Sequence, residues 1–335
     1  MRPGARRRLT LAPRLQNLGG GAGGVRCVFV GASTLRAFSL GEDALLRFAL
    51  LAVTTAIAMG CSTTEPVRAP ESDDFGDPIV VRSTPRRIVS LNPPMVDLLF
   101  ALGAGKYLVG RTHWDLSPDS ARLVADLGTG IRPNVEAVLG VRPDLVILYA
   151  SNDNRTAASQ LRAAGVNTLS LKVDHIADFH RATRILGALI RDTLRASIVS
   201  DSVARTLERV RKATAPLERK RVFWHIWDAP LITIARGSYM NELIEIAGGS
   251  NIYGHLPDPS PSVSIEDVIK RNPDYIITGP EGAAKIKKDP RWSAMPAVKA
   301  GRIVIADTSL VGRPSVQLGQ AAMALASLLH PGAVR

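Results

Sequence analysis

Cysteine is nearly missing from this 335-residue chain: Cys27 and Cys61 are the only two. Two thiols give no disulfide framework, and neither stands in a Cys-x-x-Cys pair that could begin a thiolate metal site. Aromatic residues amount to only 5%. Catalytic signatures are missing as well, with no Gly-x-Ser-x-Gly elbow, no His-Glu-x-x-His helix and no His-x-Glu paired with Cys-x-x-Cys. The six histidines are scattered, and His175 and His180 do not share a helix face as an i, i+4 metal pair would. No catalytic or metal-ligating set is expected. The apolar run from Phe48 to Met59 is too short for a comfortable membrane span. The Gly19–Gly24 run lacks the Lys-Ser/Thr of a phosphate loop. A formal charge of +12 ordinarily raises nucleic acid as a partner. Residues 1–60, however, hold eight arginines against Glu42 and Asp43, and no RNA-binding signature, zinc knuckle or sustained basic run follows. No nucleic-acid partner is expected.

What the chain does have is a long helical pattern from Asp192 to Thr214. Leu194, Ile198, Val199, Val203, Leu207 and Val210 form one apolar stripe, with Asp201, Arg205, Arg209 and Arg211 outside it. Pro216 ends it by restraining Ala215. At 1.5 Å per residue the rod is roughly 33 Å long. On either side stand two copies of one arrangement. Glu136 leads through Pro143-Asp144 into Leu-Val-Ile-Leu, and Glu266 leads through Pro273-Asp274 into Tyr-Ile-Ile-Thr. Arg87-Ile-Val-Ser with Met95-Val-Asp-Leu-Leu is matched by Arg221-Val-Phe-Trp with Met240-Asn-Glu-Leu-Ile. Each copy reads as helix, Pro-Asp corner and buried parallel-type strand. An α/β protein of two lobes joined by one rigid helix follows.

The front of the chain differs. Arg47, the short apolar run and Ala58-Met59-Gly60-Cys61 make a signal peptide that resembles a bacterial lipoprotein signal, whose cysteine becomes the acylated mature N-terminus. The expected organisation is an N-terminal extension and signal peptide over 1–60 and a flexible tether over 61–84. The N-terminal lobe follows over 85–174, then a helical segment over 175–216 and the C-terminal lobe over 217–335. Periplasmic or cell-surface anchoring through lipidated Cys61 follows from this reading.

In open α/β sheets, ligands bind beyond the carboxyl ends of the strands. The loops placed there carry Asn92, Pro93, His113, Trp114, Tyr149, Trp227, Tyr239 and Arg313 as candidate ligand contacts. Three of the four tryptophans, Trp114, Trp224 and Trp227, fall in such loops, which suits a large, partly apolar, planar ligand. Strand alternation sends Trp224 and His225 to opposite faces, so Trp224 also fits the core of its strand. A cleft histidine such as His113 or His225 could ligate a metal or haem iron, or simply make hydrogen bonds.

Several stretches together resemble a known family. They are Pro85-Arg-Arg-Ile-Val-Ser-Leu, Val138-Leu-Gly-Val-Arg-Pro-Asp-Leu-Val-Ile, Ile246-Ala-Gly-Gly-Ser-Asn-Ile, Ser264-Ile-Glu-Asp-Val-Ile with its following Pro-Asp, and Ala297-Val-Lys-Ala-Gly-Arg-Ile. Over roughly residues 85–331 the chain resembles the periplasmic binding proteins of ABC importers for cobalamin, siderophore-iron and haem. The resemblance implies two Rossmann-like lobes joined by a single long helix, with the ligand cleft between them, in a monomer that serves an ABC permease and ATPase. It is closest to the cobalamin-binding branch, implying a corrinoid ligand. It departs from that branch at Thr129-Gly130-Ile131-Arg132, where an aromatic often precedes the Glu helix. Haem is the alternative ligand, with His113, Tyr149 or His225 for its iron. A ferric siderophore is the next, met by Arg132 or Arg313. Glu136 and Glu266 would be the docking residues that meet arginines of the permease. A surface-anchored α/β enzyme is the competing class, and it would need a nucleophile–base pair that the chain does not display.

Overall fold

The computed structural model describes residues 71–80 and 83–334. The expected signal segment and Cys61 lie outside them. The first sheet contains β1 (Ile88–Leu91), β2 (Leu108–Arg111), β3 (Ala125–Asp126), β4 (Leu145–Tyr149) and β5 (Asn167–Leu171), in the order β3-β2-β1-β4-β5. Strand β6 (Lys220–Trp224) is followed by a small antiparallel hairpin, β7 (Trp227–Asp228) and β8 (Leu231–Ile232). With β9 (Gly249–Asn251), β10 (Tyr275–Thr278) and β11 (Ile303–Ile305), β6 builds a second sheet ordered β11-β10-β6-β9. All pairings in the two larger sheets are parallel. The physical reason is visible in β1 and β4: Ile-Val-Ser-Leu and Leu-Val-Ile-Leu are buried on both faces, as only helix-covered strands can be.

The repeat is realised in the topology. Read as β9-β6-β10-β11, the second sheet matches β2-β1-β4-β5 of the first. The Pro-Asp corner has the same task in each. Asp144 accepts from the amides of Arg86 and Arg87 at 2.7 and 3.0 Å, and Asp274 accepts from the amide of Arg221 at 2.7 Å. Each corner carboxylate therefore satisfies the amides that open the neighbouring central strand.

The helices are α1 (Pro93–Ala101), α2 (Val135–Gly140), α3 (Asn152–Ala163), α4 (Ile176–Leu189), α5 (Thr193–Thr214) and α6 (Tyr239–Ile246). They continue with α7 (Ile265–Arg271), α8 (Pro280–Lys288), α9 (Pro290–Ser293), α10 (Pro296–Lys299), α11 (Thr308–Val311) and α12 (Leu318–Leu329). The rod expected between the two repeats is α5, 22 residues long, with the Asp192 side chain accepting from the Arg195 amide at 3.0 Å. It packs on α4 and, further along, on α6 and α12. Its buried residues are Ala196, Val203, Leu207, Val210 and Thr214. The expected stripe is corrected at its start, because Leu194 and Ile198 are 73% and 57% exposed. The covered phase begins at Ala196, where α4 crosses so closely that a Cβ on Gly187 would overlap the Cβ of Ala196. One apolar cluster runs from Ile88 and Ile147 in the first sheet through Val203 and Leu207 to Val222, Ile277 and Leu325, so the two sheets share core packing.

Part of the expected 61–84 tether is corrected as well. Glu71–Val80 lies against the open edge of β5. The Asp74 amide donates to the Ser170 carbonyl at 2.9 Å, and the Asp73 and Asp74 carboxylates accept from the amides of Ser170 and Lys172 at 3.0 and 2.7 Å. Arg162 pairs with Asp73 and Asp77, Arg181 with Asp74, and Arg184 with Glu71. The composition reads as solvated linker; the partners, all in the folded lobe, turn it into an edge-covering strap.

Candidate functional site

The carboxyl ends of the first sheet are tied together by Asn92. Its buried amide donates to the carbonyls of Leu148 and Leu171 at 3.4 and 3.0 Å, joining the ends of β4 and β5 to that of β1. Pro93 and Pro94 then open α1, where helix amides have no carbonyl partner and a missing N–H costs nothing. Opposite, the Thr129–Arg132 loop is shaped by Gly130, at φ +83°. A Cβ there would come within 2.6 Å of the Leu91 carbonyl oxygen. The buried side chain of Asn154 pins this loop. Its Oδ1 accepts from the Arg132 amide at 2.9 Å, and its Nδ2 donates to the carbonyls of Gly130 and Tyr149 at 2.9 and 3.0 Å.

These elements surround a cavity of about 390 Å³. Asn92, Pro93, Trp114, Tyr149 and Arg313 all line it, so five of the eight expected ligand contacts meet in one place, joined by Ile131. Trp114 is 56% exposed and Ile131 62%, each offering an apolar face to solvent. The Tyr149 hydroxyl donates to Asp174 at 2.5 Å, and burial, then that carboxylate, pushes its pKa well above the phenol range.

Arg313 comes from the far end of the chain. Its Nη1 lies 3.1 Å from Asp115 Oδ1 and 3.7 Å from Asp97 Oδ1, and its Nη2 donates to the Trp114 carbonyl at 2.9 Å. Burial lifts Asp97 to about 6, against the pull of Arg313 and Ser315. Burial raises Asp115 too, against hydrogen bonds from Thr112 and the charges of Arg313 and Arg111.

The other three expected contacts lie elsewhere. His113 is turned to Asp126, 3.1 Å away, with its ring edge-on to Trp114. Trp227 sits 57% exposed on β7, where Lys285 lies over its ring at 5.6 Å. Tyr239 is buried, its hydroxyl donating to the Val311 carbonyl at 2.8 Å just before Arg313. His225, the other candidate iron ligand, is buried with Nδ1 on Thr278 at 3.0 Å and Nε2 on Asp228 at 2.9 Å. Glu136 and Glu266 are exposed at matching places, each two residues after a side-chain cap, Asn134 on α2 and Ser264 on α7. A cavity of about 510 Å³ borders Glu266, Asp228, Lys285 and Arg291. Among the described residues there is no group of three or more His, Cys, Asp or Glu that could hold a metal ion, and no helix long and apolar enough to cross a membrane.

The architecture and the loop cavity coincide with a match to the profile of periplasmic binding proteins over residues 88–310, most of the folded chain. The chain belongs to the periplasmic binding protein family. As such it is the substrate-binding component of an ABC transporter, a transport protein and not an enzyme. This binding protein is 28% identical over 271 residues to the uncharacterized ABC transporter substrate-binding lipoprotein YvrC of Bacillus subtilis, covering 77% of this chain and 84% of that one. It is 26% identical over 322 residues to the cobalamin-binding protein of Halobacterium salinarum, covering 87% and 85%. Its fold matches the periplasmic vitamin B12 binding protein BtuF of Vibrio cholerae with a TM-score of 0.66 at 23% identity, over 73% of this chain and 97% of that one.

Asn154, Asp97 and Asp115 of this binding protein escape a reading of the sequence. A signal exists for Asp97, a single carboxylate inside the apolar turn Met95-Val96-Asp97-Leu98-Leu99. Asn154 lies inside the polar run Ser151-Asn152-Asp153-Asn154-Arg155-Thr156, where nothing local marks it out from its neighbours.

Proposed function

We propose that the protein captures a corrinoid, cobalamin or a close relative, against Trp114 and Tyr149 and delivers it to an ABC permease. The observation that carries this reading is a wall of stacking surface with no side chain aimed into it as a metal ligand. The Tyr149 phenol is spent on Asp174, His225 is bonded at both nitrogens, and His113 is turned to Asp126 outside the cavity lining. A ligand whose metal brings its own coordination sphere fits such a wall; haem asks for an axial side chain. The macrocycle would lay one edge in the cavity and spread across its open mouth. We read α5 as a rigid bridge between the lobes, so the cleft is largely preformed. The cobalamin-binding relative supports the ligand class. Calorimetric titration of the purified protein with cobalamin and with cobinamide is expected to give saturable one-to-one binding. No heat with either, beside a haem Soret shift lost in His113→Ala, transfers the assignment to haem; heat with a ferric siderophore alone transfers it there.

Cys61 is read as the acylated mature N-terminus, supported by the lipoprotein name of the Bacillus relative. One acyl chain holds a protein only marginally and two or more hold it stably. The mature protein should therefore partition with membranes, and Cys61→Ser should release it or leave it unprocessed. An intact mass without lipid at Cys61 sinks this reading. The exposed pair Glu136 and Glu266, one per lobe, is read as the docking contact with the two permease subunits.

A further inference from the structure

The loop that carries Trp114 is held by charges from two other elements. Arg313 reaches it from the segment after α11, and Asp97 of α1 acts on it through Arg313, 3.7 Å away. Asp115 is fully buried, and while its Oδ1 meets Arg313, its Oδ2 accepts from the amide and hydroxyl of Thr112 at 2.9 and 2.6 Å. Residues 112–115 are thus closed into a small ring by Asp115 and fastened from outside by Arg313, which also holds the Trp114 carbonyl. The remaining polar groups facing the cluster are Ser315 beside Asp97, Arg111 beside Asp115, and Asp126, which lies 3.9 Å from Arg111 and 3.1 Å from His113. Two largely buried carboxylates share one guanidinium.

We propose that Asp97, Asp115 and Arg313 are positioning residues that form an acid-sensitive latch on the Trp114 wall of the cavity. The latch is closed while both carboxylates are ionised and Asp97 anchors Arg313 to α1. When Asp97 takes up a proton that anchor is lost, and Arg313 moves with the loop it holds through Asp115 and the Trp114 carbonyl. The claim rests on Trp114 being part of the ligand wall for its meaning, but not for its test. Burial places the proton uptake of Asp97 at about 6, within reach of ordinary acidification. The sign of the accompanying stability change is opposite to that of a simple ion pair. A carboxyl raised in the folded state binds its proton more tightly folded than unfolded, so acidification through that range favours the fold through Asp97. Loosening of the Trp114 loop is therefore expected without a fall in the unfolding midpoint from this group.

The test uses the ligand-free protein. In a Trp227→Phe background, Trp114 is the exposed indole, since Trp224 and Trp292 are each only 3% exposed. Acrylamide quenching of its fluorescence, followed from neutral to mildly acid pH, is expected to rise with an inflection at about 6. Asp97→Asn and Arg313→Gln should each abolish the inflection and show the more quenched level throughout. His113→Gln should retain the inflection, although its ring lies against Trp114. A flat profile in the parent overturns the latch, as does an inflection lost in His113→Gln and kept in Asp97→Asn. For the parent alone, hydrogen exchange at the amides of 112–115, corrected for intrinsic rate, should quicken through the same range, and unchanged protection there also overturns it. Failure of corrinoid binding with the inflection present would reject the ligand and keep the latch.

Discussion

Trp114→Ala is expected to weaken corrinoid binding about 30-fold or more, a loss of ~2 kcal/mol or above, with the urea midpoint almost unmoved. The two halves of that expectation have one cause. In the free protein the indole is 56% exposed, edge-on to His113 at the rim of the cavity, so its removal opens no cavity in the core. Substitutions at such places usually change stability by less than about 0.5 kcal/mol. Once a macrocycle covers it, the same ring becomes a large desolvated contact that loses only two side-chain torsions on binding. Calorimetry beside urea unfolding separates the effects. Unchanged affinity in the alanine variant would remove Trp114 from the ligand wall; a collapsed midpoint would make it a folding residue instead.

The second large effect is expected in transport and not in binding. Glu136→Ala combined with Glu266→Ala should leave corrinoid affinity at the parent value and abolish uptake by the reconstituted importer. Both carboxylates stand exposed near the start of a helix whose capping is done by another residue, Asn134 for α2 and Ser264 for α7. A carboxylate near a helix N-terminus also interacts favourably with the helix dipole. That local role would give a small stability loss and normal uptake. For Glu266 a backbone amide, then the Ser264 hydroxyl, holds the pKa below the ordinary range. Its local contribution is therefore present above the unfolded-state pKa and fades as pH falls through the folded one. Normal uptake by the double variant would reduce the pair to that role, and lost ligand affinity would show that the lobes themselves were disturbed.

The repeat was legible because the chain spells it twice in the same order. Pro143-Asp144 and Pro273-Asp274 each place a carboxylate beside the amides of a neighbouring strand, so two copies of the same words build two copies of the same corner. The phase of α5 was less so. Periodicity marks a stripe, but the choice of Ala196 over Leu194 and Ile198 is made by the close crossing at Gly187, on another helix. The loop residues divide in the same way. Trp114 and Tyr149 follow strands of one sheet and share a cavity, whereas Trp227 is carried off by the β7–β8 hairpin, a two-residue pairing with no strong pattern. Glu71, Asp73 and Asp74 look like linker acids until Arg162, Arg181 and Arg184 are brought beside them by folding.

That strap sets the length of a leash. With Cys61 as the membrane anchor we propose, the chain is tied to the folded lobe ten residues on, where Glu71 pairs with Arg184 ahead of the Asp73 and Asp74 bonds to β5. Fully extended, such a stretch spans at most ~35 Å. A domain confined to so shallow a layer would meet membrane partners at a higher local concentration than the same number of molecules free in the compartment. Affinity for the permease can then be weak, and an emptied binding protein can leave the docking site quickly and return quickly. Breaking the Arg162 and Arg184 pairs would lengthen the leash and dilute the encounter without touching a single residue of either interface.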